Sequence, residues 1–285
     1  MKRIKNILVA LDLSVMDEKV IKYTSFIAAK LKVENVYFVH NIKKYEISDL
    51  FEEHLKDINL DEVIGEELNE KVKVNFKASV NWEVLISEDP YSETLIKYIA
   101  EKYQVDLAIV GNKKNERGTG VVSGKLLRLL RCDVLAVPAS ANEKIDVIWA
   151  AIDLSQESRK IFTRTREIQE DNGSILKAVH VYSVPVQFSP YISPEAMEPK
   201  VEKHVNEKIN KFLNKLEYPH SVEPIIFLGR ESGAARKIQT KMLSGGIDLL
   251  MVSDKGGNNF SPFAVGTVTE ELFNADLDVP LWVVK

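Results

Sequence analysis

Two stretches of the chain place an acid and a hydroxyl side by side directly after an apolar run. Residues 7–11 lead into Asp12-Leu13-Ser14, and residues 147–152 lead into Asp153-Leu154-Ser155. A carboxylate at such a place can accept ribose hydroxyls or face a metal-bound phosphate. Asp and Ser are equally suited to capping a following helix, and the sequence leaves both roles open. A third stretch, SDKGGNNFSPFAVGTVTEEL (253–272), carries Gly256 and Gly257, whose bare amides let an anion approach closely. Gly266-Thr267 then stands directly before a helical pattern, with Thr267 able to cap it. A glycine-rich loop running into a helix start is a phosphate cradle in physical terms.

These residues need strands and helices to hold them, and the chain writes those elements twice. ILVALDLS (7–14) returns as VIWAAIDLS (147–155), so that Asp153 follows Asp12 by 141 positions. VYFVHNI (36–42) returns as LKAVHVY (176–182), and VDLAIVGN (105–112) as IDLLMVSD (247–254), at offsets of 140 and 142. DVLAVP (133–138) is echoed by VPLWVVK (279–285). Four ordered matches at nearly the same offset are a tandem duplication. The polar run PASANEKID (138–146) reads as the joint, giving domains 1–142 and 143–285.

In the first half, apolar runs predict strands at 6–11, 36–41, 82–87, 107–111 and 134–138. Helices are expected near 17–32, 60–78, 91–104 and 122–131, the first with its stripe of Val20, Thr24, Ile27, Ala28 and Leu31. Continuous apolar strands such as DLAIVG belong in parallel sheets buried on both faces. Alternating β and α elements imply right-handed crossovers. The fold class is therefore α/β, two doubly wound, parallel five-stranded sheets in tandem, with the halves expected to pair about a pseudo-twofold axis.

Composition narrows the function. A net charge of −4 gives no basic footprint for nucleic acid. The single cysteine, Cys132, cannot form an internal disulfide, and no His/Cys cluster suggests a structural metal. Asp12 interrupts the first apolar run too early for a signal segment, and no run of about 20 apolar residues suits a membrane span. A cytoplasmic protein is expected. No Ser/His/Asp set or activated nucleophile is present, so no catalytic residue is assigned. His40 and His180 are read as structural, at strand ends.

Ser244-Gly245-Gly246-Ile247-Asp248 resembles the SGGxDS signature of PP-loop ATP pyrophosphatases, but Leu249 stands where that motif ends in Ser. Aligned with the first half, the stretch falls where a helix ends and a strand begins. Its glycines are thus expected to close a helix in the left-handed conformation.

The whole ordered set resembles the universal stress protein family, once per half. Ser253-x2-Gly256-x9-Gly266-Thr267 is similar to that family's Gly-x2-Gly-x9-Gly-Ser/Thr loop, with Ser253 for the first glycine. The resemblance implies that Val181, after His180, packs on adenine, and that Asp153, Ser253, Gly256, Gly266 and Thr267 hold ribose and phosphates. It implies ATP as ligand, with AMP or ADP as alternatives and Mg²⁺ accompanying ATP. In the first half the matching positions are Asp12, Gly111 and Gly120, but Lys114 replaces the second glycine and Asn41 the valine. Lys113, Lys114 and Arg117 are either compensating cations or a solvated loop. The expected function is nucleotide-dependent regulation in stress, without efficient catalysis and with further homo-oligomerisation open. The alternative is a nucleotide-free module acting through its surfaces.

Overall fold

The computed structural model describes residues 2–43, 59–112, 119–170, 173–184, 193–229, 233–257 and 265–285. The loop cations Lys113, Lys114 and Arg117, residues 185–192 of the proline-rich stretch 183–199 and residues 52–58 of the acidic stretch 52–70 lie outside them. The chain divides into two compact units, residues 2–143 and 144–285.

The first unit runs β1 (Asn6–Leu11), α1 (Met16–Leu31), β2 (Asn35–Ile42), α2 (Leu60–Asn75), β3 (Asn81–Glu88), α3 (Ser92–Lys102), β4 (Leu107–Asn112), α4 (Thr119–Leu129) and β5 (Asp133–Pro138). Its strands lie in the order β3-β2-β1-β4-β5, every pair parallel. The second unit runs β6 (Val147–Ala151), α5 (Ser158–Gln169), β7 (Ile175–Tyr182), α6 (Pro194–Asn214), β8 (Val222–Leu228), α7 (Ala234–Gly245), β9 (Leu249–Ser253), α8 (Thr267–Phe273) and β10 (Leu281–Val284). Its order, β8-β7-β6-β9-β10, repeats that of the first. In each, the chain winds one way from the first strand and then crosses to its other side. This leaves a switch point between β1 and β4 and another between β6 and β9, where doubly wound sheets open a crevice.

The central strands are apolar on both faces because helices cover both. Ile7, Leu8 and Val9 of β1 and Leu249, Leu250 and Met251 of β9 are fully buried. Register is fixed by matching aspartates. Asp106 Oδ2 accepts the amides of Lys5 and Asn6 at 2.9 and 3.1 Å, and Asp248 Oδ2 those of Asp146 and Val147 at 2.8 and 2.9 Å. Each carboxylate ties the start of one strand to the start of its neighbour.

The glycine pair at 245–246 closes α7, as the alignment predicts. Gly246 is the C-cap with φ +56°, a left-handed conformation that costs a residue with a side chain about 1 kcal/mol. Gly245 is there for a different reason. A Cβ on it would lie 2.5 Å from Cζ2 of Trp149 in β6, so only glycine lets the helix end settle on the indole. This turn docks a helix.

Candidate functional site

The two strand-end aspartates sit on the same unusual backbone. Leu13 and Leu154, the residues after Asp12 and Asp153, have φ 63° and 64°, the left-handed region that non-glycine residues avoid. What holds each turn differs between the halves.

In the second half Asp153 is the hub. Its Oδ1 accepts the Ser155 amide at 3.0 Å and the Ser158 hydroxyl at 2.7 Å, and its Oδ2 accepts the Gly257 amide at 2.8 Å. Burial pushes its pKa up, but the hydrogen bonds from Ser155, Ser158 and Gly257 outweigh that and hold it below the ordinary carboxylate value. The carboxylate thus stays charged and ties the turn after β6 to the loop after β9. Each carboxylate oxygen offers two lone-pair sites, so Oδ2 keeps one for a ligand.

The loop itself is pinched at its neck. The Gly266 amide donates to Asp254 O at 2.7 Å, and the Asp254 amide to Val284 O at 2.9 Å. A Cβ on Gly266 would meet Gly256 N at 3.4 Å, and one on Gly256 would meet Asp153 Oδ2 at 3.1 Å. The x9 spacing therefore brings the two motif glycines face to face. Ser253, the last residue of β9, is 8% exposed, and its hydroxyl donates to Lys255 O at 2.8 Å, which pins the first turn of the loop. Gly266 itself is the N-cap of α8 and Thr267 its first residue, so the cap is a backbone carbonyl and not the Thr267 hydroxyl.

These parts enclose a cleft of about 330 Å³ at the β6/β9 switch point. Asp153, Val181, Ser253, Gly256, Gly266 and Thr267 all line it, so every expected second-half position converges on one place. The cleft also has walls the sequence does not announce: Val179 of β7, Ala234 and Ile238 of α7, and Lys255 in the loop. Lys255 is legible in principle, being one of the two variable motif positions. Ala234 and Ile238 reach the cleft from a helix about 80 residues downstream of Asp153 and carry no chemical signature.

His180 also lines the cleft. Its Nδ1 lies 2.8 Å from Ile152 O, and His40 Nδ1 lies 3.0 Å from Leu11 O. A carbonyl only accepts, so Nδ1 carries the proton in both. The pair joins strand ends identically in the two halves, which is a structural role. Burial lowers the His40 pKa.

The first half builds the same turn from different groups. The position of Ser158 holds Asp17, whose Oδ1 and Oδ2 accept the amides of Asp12 and Leu13 at 3.1 and 2.9 Å. Asp12 accepts the Ser14 amide at 3.3 Å, the counterpart of the bond from Ser155 to Asp153. Asn41, in the place of Val181, donates to Asp89 O and Ser92 Oγ at 2.8 and 2.9 Å and accepts the Asp89 amide at 2.8 Å. Where the second half has an apolar wall, the first has a polar tie between β2 and the start of α3. Gly111 lies in β4, where a Cβ would meet Val20 and Met16 of α1 at 3.4 and 3.7 Å. Gly120 is the second residue of α4. Gly111 thus packs β4 against α1, while Gly120 opens α4 and Asp12 stays at the turn after β1.

Asp17 is 2% exposed, and burial, with the charge of Asp12 beside it, pushes its pKa up to about 6 against the Asp12 and Leu13 amides and Lys71, which lower it. The native state then holds this proton more tightly than the unfolded chain. The stability it contributes is fully present below pH 3.8 and is lost as pH rises through 6. The difference is about 3 kcal/mol at most. Chemical denaturation across pH 4–7 is expected to show this decline for the native chain relative to Asp17→Asn; parallel curves would contradict it.

The family model for the universal stress protein family matches residues 3–138 and again 144–285. The chain belongs to the universal stress protein family. It is a tandem member, with one family domain per half. Among solved structures it is similar to a universal stress protein from Archaeoglobus fulgidus DSM 4304, 17% identical over 98% of both chains with a TM-score of 0.67. A putative universal stress protein from Pseudomonas aeruginosa UCBPP-PA14 is 15% identical over 99% of this chain and 93% of that one, TM-score 0.65. At these identities the likeness is one of fold. No curated protein matches the chain. Among the described residues, no helix of this universal stress protein is long and apolar enough to cross a membrane. None of them form a group of three or more His, Cys, Asp or Glu placed to hold a metal ion.

Proposed function

We propose that this universal stress protein binds an adenine nucleotide, ATP or a related species, in its second half and acts in the stress response as a regulator without efficient catalysis. The observation that carries the reading is the single cleft at the β6/β9 switch point on which all six expected positions converge. Its chemistry suits the ligand. Val179, Val181, Ala234 and Ile238 offer an apolar wall for a base, and Asp153 Oδ2 keeps an acceptor site for a ribose hydroxyl. Lys255 supplies a cation toward the phosphate end. A Cβ on Gly256 would press on Asp153 Oδ2 at 3.1 Å and one on Gly266 on the Gly256 amide at 3.4 Å, so the loop keeps its close backbone approach through glycine. Any Mg²⁺ would come with the triphosphate of ATP.

One observation favours the alternative of a nucleotide-free interaction module. The Gly257 and Gly266 amides are already bonded, to Asp153 and Asp254, and so do not face an anion. Mass spectrometry of material released by heat from the purified protein separates the two readings. The nucleotide reading expects an adenine nucleotide near one per chain, or uptake on adding ATP. No nucleotide in either case would move the function to the protein's surfaces.

A further inference from the structure

A second space opens beside the cleft, between α7 and α8. It measures about 470 Å³ and is lined by Arg236, Gln239, Thr267, Glu270, Glu271 and Asn274, with Ala235 at its base. Thr267 lines both spaces, so the groove begins where the phosphate end of the cleft stops. Among the described residues, the side chains of Arg236, Gln239 and Glu271 have no hydrogen-bond or ion-pair partner.

The groove's charge decides what it can take. One guanidinium faces two carboxylates, a formal balance of −1, which repels a terminal phosphate carrying two charges of its own. An uncharged group rich in donors and acceptors is matched instead. Glutamates accept from vicinal hydroxyls, while the Gln239 and Asn274 amides can each give and take a hydrogen bond with one partner. Resting on the nucleotide reading of the cleft, we infer that the ligand continues past Thr267, and that its far phosphate is esterified to an uncharged, polyhydroxylated group, a sugar or second nucleoside, seated between α7 and α8.

Calorimetry on the full chain tests this with ADP, ATP, ADP-ribose and diadenosine tetraphosphate. ADP-ribose is expected to bind about tenfold tighter than ADP if the groove takes a sugar, and diadenosine tetraphosphate about tenfold tighter than ATP if it takes a nucleoside, the worth of one or two net hydrogen bonds. Gln239→Ala and Glu271→Ala, both outside the cleft, should remove that advantage and leave ADP and ATP affinity unchanged. If ADP and ATP bind but neither extended ligand gains, or the gain survives both substitutions, the groove inference is overturned and the nucleotide reading stands. If nothing binds, both fall.

Discussion

Replacing Asp153 with alanine is expected to weaken adenine-nucleotide binding about 100-fold, while Asp12→Ala leaves it unchanged. Asp153 accepts three hydrogen bonds, from the Ser155 amide, the Ser158 hydroxyl and the Gly257 amide. Bonds to a charged acceptor are worth about 1.5–3 kcal/mol each, and the Gly257 bond is the one that reaches across to the loop after β9. Without it, the loop must be ordered at the moment of binding, so the loss appears in affinity. Asp12 has the same neighbours in sequence but not in space. Its turn is held by Asp17, and the wall that would receive the base is replaced by the polar tie of Asn41. Titration calorimetry with ATP on both variants decides the point. Equal losses would mean that the two halves are equivalent sites, and no loss in either would remove Asp153 from binding.

The second large effect is on stability. Gly245→Ala puts a methyl group 2.5 Å from Trp149 Cζ2 and 2.9 Å from Cη2, against an indole that is itself buried. Overpacking of this kind costs about 1–3 kcal/mol, and the second half should lose several degrees in melting temperature. Gly246→Ala costs about 1 kcal/mol by another route, the left-handed φ of +56° at the helix cap. The two are told apart by background. Trp149→Leu should relieve much of the Gly245→Ala penalty and none of the Gly246→Ala penalty. Additive losses in both double variants would show that the indole is not what Gly245 makes room for.

Those two glycines also show how far the sequence could be read. Aligning the halves places 245–246 at a helix end, and the cap is indeed there, because cap chemistry is local and written in one residue. The demand of Trp149 on Gly245 is not local, since the indole reaches it from a strand almost a hundred residues earlier. The same division runs through the site. Strand ends are legible because parallel strands are apolar runs, and a doubly wound sheet binds its ligands just past them. Asp153, Ser253 and Gly256 could therefore be named from the sequence. Ser158 and Asp17 stand at one repeat position and both accept the amide of the strand-end aspartate, yet only the Ser158 hydroxyl also donates to its carboxylate. Nothing in either residue's surroundings in sequence says so. The polar tie made by Asn41 was visible only as a missing valine, because its partners Asp89 and Ser92 lie beyond the next strand.

This asymmetry makes stoichiometry the most direct measurement of the central claim. Titrating ATP into the intact chain by calorimetry up to the millimolar range should give one saturable site per chain, carried by the cleft between β6 and β9. Two equivalent sites would contradict the reading that Asn41 and Asp17 set the first half apart from the second. No saturable heat, with no nucleotide released on denaturation, would contradict nucleotide binding itself.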